Sequence, residues 1–124
     1  MSADFPLVVC AGEALNDMIH DGAGTWRSVV GGSTWNVARS LAKLGVPTAF
    51  AGAISLDIFG DALHAASVEA QLDLRYLQRY SKPPLLAMVL ASHPPDYFFI
   101  GADSADLHFD PSRIPKDELS RFQW

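Results

Sequence analysis

The sequence has 124 residues, 49% of them hydrophobic, which is one domain's length with apolar side chain enough to bury roughly two-thirds of the unfolded surface. Nine Lys and Arg stand against 14 Asp and Glu, for a formal net charge of -5. The hydrophobic content excludes a disordered segment, and the charge balance offers no basic patch for nucleic acid or an anionic membrane, so a neutral or small-molecule partner is expected.

MSADF lacks the basic region of a signal peptide, and no apolar run approaches the ~20 residues of a membrane span, so the expectation is a cytoplasmic protein. From Pro6 to Ala11 a nearly continuous apolar run, closed by Gly12, predicts a strand buried on both faces. Its Cys10 is the only cysteine, which rules out an internal disulfide and reads as a buried, inert thiol. Two short pieces, Met18 to His20 and Thr25 to Val30, are joined by DGAG and predict a small hairpin that leaves the main sheet.

GGSTWNVARSLAKLG, Gly31 to Gly45, opens on paired glycines and continues as an amphipathic helix, predicted over Thr34 to Leu44. Ser33 or Thr34 can cap it, Val37, Leu41 and Leu44 recur on one face, and Arg39 and Lys43 take the other. Gly45 suits the C-terminal cap, and Pro47 prevents continuation. Thr48 to Ile54 predicts a second buried strand, parallel to the first. Asp57 is the expected cap of a second helix that runs to about Ala70 and buries Phe59, Leu63 and Ala66. Beyond Leu74, Leu85 to Leu90 and Tyr97 to Ile100 read as strands linked by SHPPD, and Pro111 or Ser112 as a helix start. Strand, helix, strand, helix is the α/β pattern. The aromatic end at Trp124 reads as a chain cut inside a domain.

Two features carry chemistry. In GEALND, Gly12 to Asp17, an extended backbone puts Glu13 and Asp17 on one side, at the strand edge where α/β proteins bind ligands; solvated loop carboxylates are the other reading. Paired glycines before a helix give either a tight turn or room for a ligand at the helix N-terminus. DGAG reads as a hairpin turn, because strand-forming residues follow it and Arg27 stands where a phosphate-binding GxGxxG would have its third glycine. His20, His64, His93 and His108 lack metal-ligand spacing and form no recognisable Ser/His/Asp set.

GEALND, GGSTWNVARSLAKLG and AGAISLDIFGDAL (Ala51 to Leu63) together resemble, in order and approximate spacing, the N-terminal signature of the ribokinase-like, or PfkB-type, carbohydrate kinase family. The first two are most similar to its fructokinase-like branch, and a weaker likeness continues through ADSADLHFD. The resemblance implies an α/β fold with a mostly parallel, Rossmann-like sheet flanked by helices and a small β lid. It implies ATP-dependent phosphorylation of a sugar hydroxyl, with Asp17 as the accepting carboxylate, Asn36 as the amide, and Gly31 and Gly32 as bare backbone close to the sugar. Core segments fall at 5–17 and 31–73, and lid pieces at about 18–30 and 74–101. Ser55 and Gln71 stand where many members have glycine. Gly101 occupies a position where some acid-sugar kinases of the family carry arginine, which argues against a carboxylate-bearing substrate.

The family's Gly-Ala-Gly-Asp signature, with its anion hole and catalytic aspartate, does not occur here. No catalytic residue or metal ligand is therefore expected in the chain, and ATP and Mg2+, implied for the complete enzyme, have no site in it. The implied partner is a small-molecule sugar rather than nucleic acid or membrane, with a homodimer formed through the lid. The chain alone is expected to be inactive. The alternatives are a non-catalytic sugar-binding remnant of such a kinase and a structural fragment that does not fold alone.

Overall fold

A strand made of small and branched apolar residues needs cover on both faces, and Thr48–Ser55 has it: in the computed structural model, which describes residues 5–124, every residue of this strand is buried. Residues 1–4, the start of the expected domain, lie outside the described residues. Side chains alternate across the strand. Phe50 and Ile54 face one cluster with Trp35, Ala38, Leu63 and Leu72, whereas Ala49 and Ala51 face another with Tyr76 and Ile114.

This strand, β4, is the centre of a three-stranded parallel sheet. It pairs with β1 (Val8–Ala11) from Val8↔Thr48 to Ala11↔Ala51, and with β5 (Leu77–Tyr80) from Gly52↔Leu77 to Ser55↔Tyr80. The expected parallel pairing of the two apolar runs is thus present. Helices α1 (Ser33–Lys43) and α2 (Ile58–Glu69) supply the first cluster, joined where buried Trp35 donates from Nε1 to Ser67 Oγ at 3.0 Å. The opposite face is covered by the C-terminal segment, which carries single turns at Ala105–His108 and Pro111–Arg113 and the short helix α3 (Lys116–Leu119). Gln78 pins it by donating to the Asp110 carbonyl and accepting from the Asp110 N–H, both at 2.8 Å.

The remaining strands form a separate sheet in the order β3-β2-β6-β7. β2 (Leu15–His20) runs antiparallel to β3 (Trp26–Gly31) and parallel to β6 (Leu86–Leu90), which in turn is antiparallel to β7 (Asp96–Ile100). The hairpin therefore leaves the core at Leu15, three residues before the expected start. β5 also departs from the expectation, because its residues fall inside the segment assigned to the lid and yet extend the core sheet. Gln78 and Arg79 disguise it as a polar loop. Their polar groups are met inside the fold, Gln78 at Asp110 and Arg79 at the Ser55 carbonyl (2.9 Å) and Asp61 (2.7 Å).

The buried stripe of α1 also differs from the expected one. Val37 and Leu44 are 55% and 80% exposed, while Trp35 and Ala38 are fully buried and Ala42 packs beside them. The indole is the largest apolar body on the helix and has a hydrogen-bond partner waiting in α2, so it sets the helix rotation; Ala38 then lets the backbone approach the sheet. Neither hydroxyl caps this helix. Its N-cap is Gly32, with no side-chain cap bond. At the other end Gly45 has φ +88° and donates to the Ala42 carbonyl at 3.0 Å, as expected.

In α2 the expected cap is present. Asp57 Oδ1 accepts from the N–H groups of Phe59 (3.0 Å) and Gly60 (3.1 Å) and from Ser55 Oγ (2.6 Å). Leu63 is buried, with Phe59 and Ala66 half-buried. Loss of an N-cap costs about 0.5–2 kcal/mol, so Asp57→Ala should lower the unfolding free energy by about that amount in a urea titration.

Candidate functional site

At the carboxyl end of β1 the chain crosses from the core sheet to the small sheet, and the crossing is held by one carboxylate. Glu13 Oε1 accepts from the Ser33 N–H (3.1 Å) and Ser33 Oγ (2.7 Å), and its Oε2 from Thr34 Oγ1 at 3.4 Å. Glu13 thus satisfies, from 20 residues away in sequence, an amide at the N-terminus of α1 that Gly32 leaves open. The Ser33 hydroxyl bond leads the causes that hold the Glu13 carboxyl below its ordinary range.

The paired glycines have separate reasons. Gly32 has φ +108°, and a Cβ there would sit 3.0 Å from the Glu13 carbonyl oxygen. Gly31, paired with Leu15, leaves space for a side chain instead: a Cβ would sit 2.6 Å from Asp17 Oδ2. Both glycines keep the start of α1 tight against β2.

A cavity of about 630 Å³ opens between this crossing and the small sheet. Its floor is Glu13, Leu15, Asp17, Gly32 and Ser33; Leu85, Ala87, Val89, Tyr97 and Phe99 form an apolar wall, with Asp106 at the side. Sheet register explains the wall. Asp17 pairs with Ala87, which pairs with Phe99, and Ile19 pairs with Val89, which pairs with Tyr97, so these side chains share one face. Tyr97 and Phe99 meet edge to face, with ring centroids 5.7 Å apart.

Asp17 faces this wall with no hydrogen bond from any other described residue, and burial pushes its carboxyl above the ordinary range. Its neighbour Asn16 points the other way, fully buried, with Nδ2 3.4 Å from the Phe59 carbonyl and Oδ1 unpartnered. Of the four residues singled out in the sequence, Asp17 and Gly32 line the floor, and Gly31 lies behind it, against the Asp17 side chain. Asn36 does not line the cavity; it is exposed in the first turn of α1, where its N–H donates to the Gly32 carbonyl at 2.8 Å.

Asp106 and the aromatic pair escaped the sequence reading. The apolar run YFFI marks a strand but not which of its residues face the cavity. Asp106 had no signal, since a turn places it, with its Oδ1 accepting from Ser104 Oγ.

Three carboxylates and no Lys, Arg or His line the cavity, so its donor set does not fit a nucleotide's phosphates. Among the described residues, no group of three or more His, Cys, Asp or Glu is placed to hold a metal ion. What the arrangement suits is a small polyhydroxylated ligand: hydroxyls need a carboxylate acceptor and close backbone, and their C–H faces need apolar cover.

The two carboxyls on the floor should titrate apart. A carboxyl-carbon NMR titration should find Asp17 titrating above, and Glu13 below, the ordinary carboxylate range. With a lowered folded-state pKa, Glu13 contributes stability above its unfolded-state value, lost as pH falls through the folded value; Glu13→Gln should therefore flatten the acid limb of the stability profile. Asp17, shifted upward, contributes with the opposite sign.

The family model "pfkB family carbohydrate kinase" matches residues 6–123. A fructokinase of Klebsiella pneumoniae is 32% identical over 107 residues, covering 84% of this chain and 35% of that protein. Another, from Rhizobium leguminosarum bv. trifolii, is 28% identical over 114 residues and is also covered to 35%. The crystal structure of a Xylella fastidiosa fructokinase with bound ATP superposes with a TM-score of 0.84 at 30% identity, over 91% of this chain and 36% of that one. The chain therefore spans about a third of the length of the curated relatives it matches. Its parallel sheet flanked by helices is the expected ribokinase-like arrangement, and with a match that runs nearly end to end the chain belongs to the pfkB family of carbohydrate kinases.

Proposed function

We propose that this chain supplies the sugar-binding part of a cytoplasmic, ATP-dependent kinase that phosphorylates a hydroxyl of a neutral hexose or pentose, with fructose the first candidate. The observation that carries the reading is the unpaired Asp17 carboxylate at the cavity floor, beside backbone that two glycines keep bare. A sugar hydroxyl that donates to Asp17 satisfies both groups at once. The family resemblance adds Asn36, exposed in the first turn of α1 and outside the cavity lining, as a second hydrogen-bonding group. The small sheet is the lid: its Tyr97 and Phe99 cover the sugar's C–H face and exclude water, which otherwise competes for a phosphoryl group. In this reading the lid comprises β2, β3, β6 and β7, and β5 stays with the core.

Phosphoryl transfer depends on positioning and on charge stabilisation at the phosphates. Asp17, Asn36 and the two glycines bind and orient the acceptor sugar. The general base and the anion hole belong to the part of the family's length that this sequence does not span. ATP and Mg2+ act there in the complete enzyme. The outer face of the small sheet, where Phe98 and Ile100 are about half exposed, suits the lid-to-lid homodimer implied by the family resemblance.

Removing one partner of a hydrogen bond to a charged group costs about 1.5–3 kcal/mol, or about ten- to a hundredfold in affinity. Titration calorimetry with D-fructose should show a loss of that size for Asp17→Ala and a smaller one for Asn36→Ala. Affinity should also fall on acidification, as the raised Asp17 carboxyl takes up its proton. Unchanged affinity in both variants would remove the sugar site from this cavity. Sugar-stimulated ADP release by the 124-residue chain alone would place phosphoryl transfer within it and contradict the division of labour between the two parts of the enzyme.

A further inference from the structure

Resting on the sugar-site reading above, we propose that Glu13, together with Asp106, is a specificity-determining residue that makes the cavity reject anionic sugars in favour of neutral ones. Helix N-termini ordinarily attract anions through open N–H groups and the positive end of the helix dipole. The N-terminus of α1 faces this cavity at Gly32 and Ser33. Here that attraction is already answered from within the chain, because Glu13 takes the Ser33 N–H and both nearby hydroxyls. A phosphate or carboxylate on the ligand meets a negative carboxylate where other helix starts offer a positive end.

The rest of the lining points the same way. Asp17 and Asp106 add two more carboxylates, and no cationic side chain lines the cavity to offset them. The cations of β5 and of the segments that follow it are engaged by their own partners: Arg79 at Ser55 and Asp61, Lys82 at Asp103, and Arg113 at the Tyr80 hydroxyl. Arg27 shares the sheet face of Asp17 but sits on the exposed edge strand β3 and does not line the cavity. The wall is open to solvent at Tyr97 and Phe99, 61% and 58% exposed, so the field of the three carboxylates reaches a ligand through a medium that salt can screen. Hydrogen bonding to neutral hydroxyls is unaffected by this field, and an added negative charge is opposed by it. Selection of this kind works by a repulsive element against the wrong ligand, not by an extra contact to the right one.

The test uses the 124-residue protein and two ligands with one carbon skeleton: D-fructose, and D-fructuronate, which carries a carboxylate in place of the C6 alcohol. Calorimetric titrations at low salt should find fructuronate weaker by at least about tenfold. Raising NaCl to about 1 M shortens the screening length to roughly 3 Å and should narrow the gap severalfold. Glu13→Gln and Asp106→Asn should each narrow it at low salt. Equal affinity for the two ligands, or a gap that neither salt nor either variant moves, would overturn the proposal, since steric exclusion is insensitive to both. If a variant fails to fold, the salt series on the unaltered protein decides alone. Failure of both sugars to bind would instead strike the sugar-site reading itself, and is distinguishable because fructose is then silent too.

Discussion

Everything around the cavity depends on where the first helix begins, and the Glu13 carboxylate sets that point. One side chain at the exit of β1 accepts an amide and two hydroxyls from the start of α1, which ties the core sheet to the helix at the place where the chain leaves for the small sheet. Gly32 makes the tie geometrically allowed, since a side chain there would press on the Glu13 carbonyl from a left-handed backbone. Trp35 then fixes the helix rotation from the other side by its bond to Ser67. Between these two anchors the N-terminus of α1 has little freedom, and the cavity floor inherits that rigidity.

Two neighbouring carboxylates consequently live in opposite regimes. Glu13 is saturated with donors and held ionised, whereas Asp17, four residues on, has burial without donors. The first is spent on structure. The second is left with unsatisfied acceptor capacity facing an apolar wall, a condition that a bound hydroxyl relieves. The division follows from strand geometry: Glu13 precedes β2 and reaches back to the helix, while Asp17 lies within β2, on the face that register gives to Ala87, Phe99 and the cavity.

Much of this was legible in the amino-acid sequence, for identifiable reasons. Continuous apolar runs mark parallel strands, so β4 and its pairing with β1 were readable, as was Asp57 as the cap of α2. β1, however, is the edge strand of its sheet and is half-buried to exposed rather than buried on both faces. β5 was not readable, because Gln78 and Arg79 look like loop residues until Asp110, Ser55 and Asp61 are brought to them by distant chain. The α1 face was misjudged because periodicity weighs Val37, Leu41 and Leu44 alike, while the fold followed one indole and its hydroxyl partner. Glycine spacing pointed to Gly31 and Gly32, but the clamp that explains Gly32 needs two segments 20 residues apart. The wall of Tyr97 and Phe99 depended on a sheet register that no local pattern specifies.

The central claim is a location: a neutral sugar held between the start of α1 and the small sheet, with Asp17 at its floor. Backbone amide mapping by NMR, on isotope-labelled 124-residue protein titrated with D-fructose, addresses it most directly. Saturable shifts should concentrate at Leu15 to Asp17, Gly31 to Asn36 and Tyr97 to Phe99, and leave the β1 edge beside Phe122 and Trp124 unmoved. Saturable shifts centred away from those segments, or none at sugar concentrations well into the millimolar range, would contradict it.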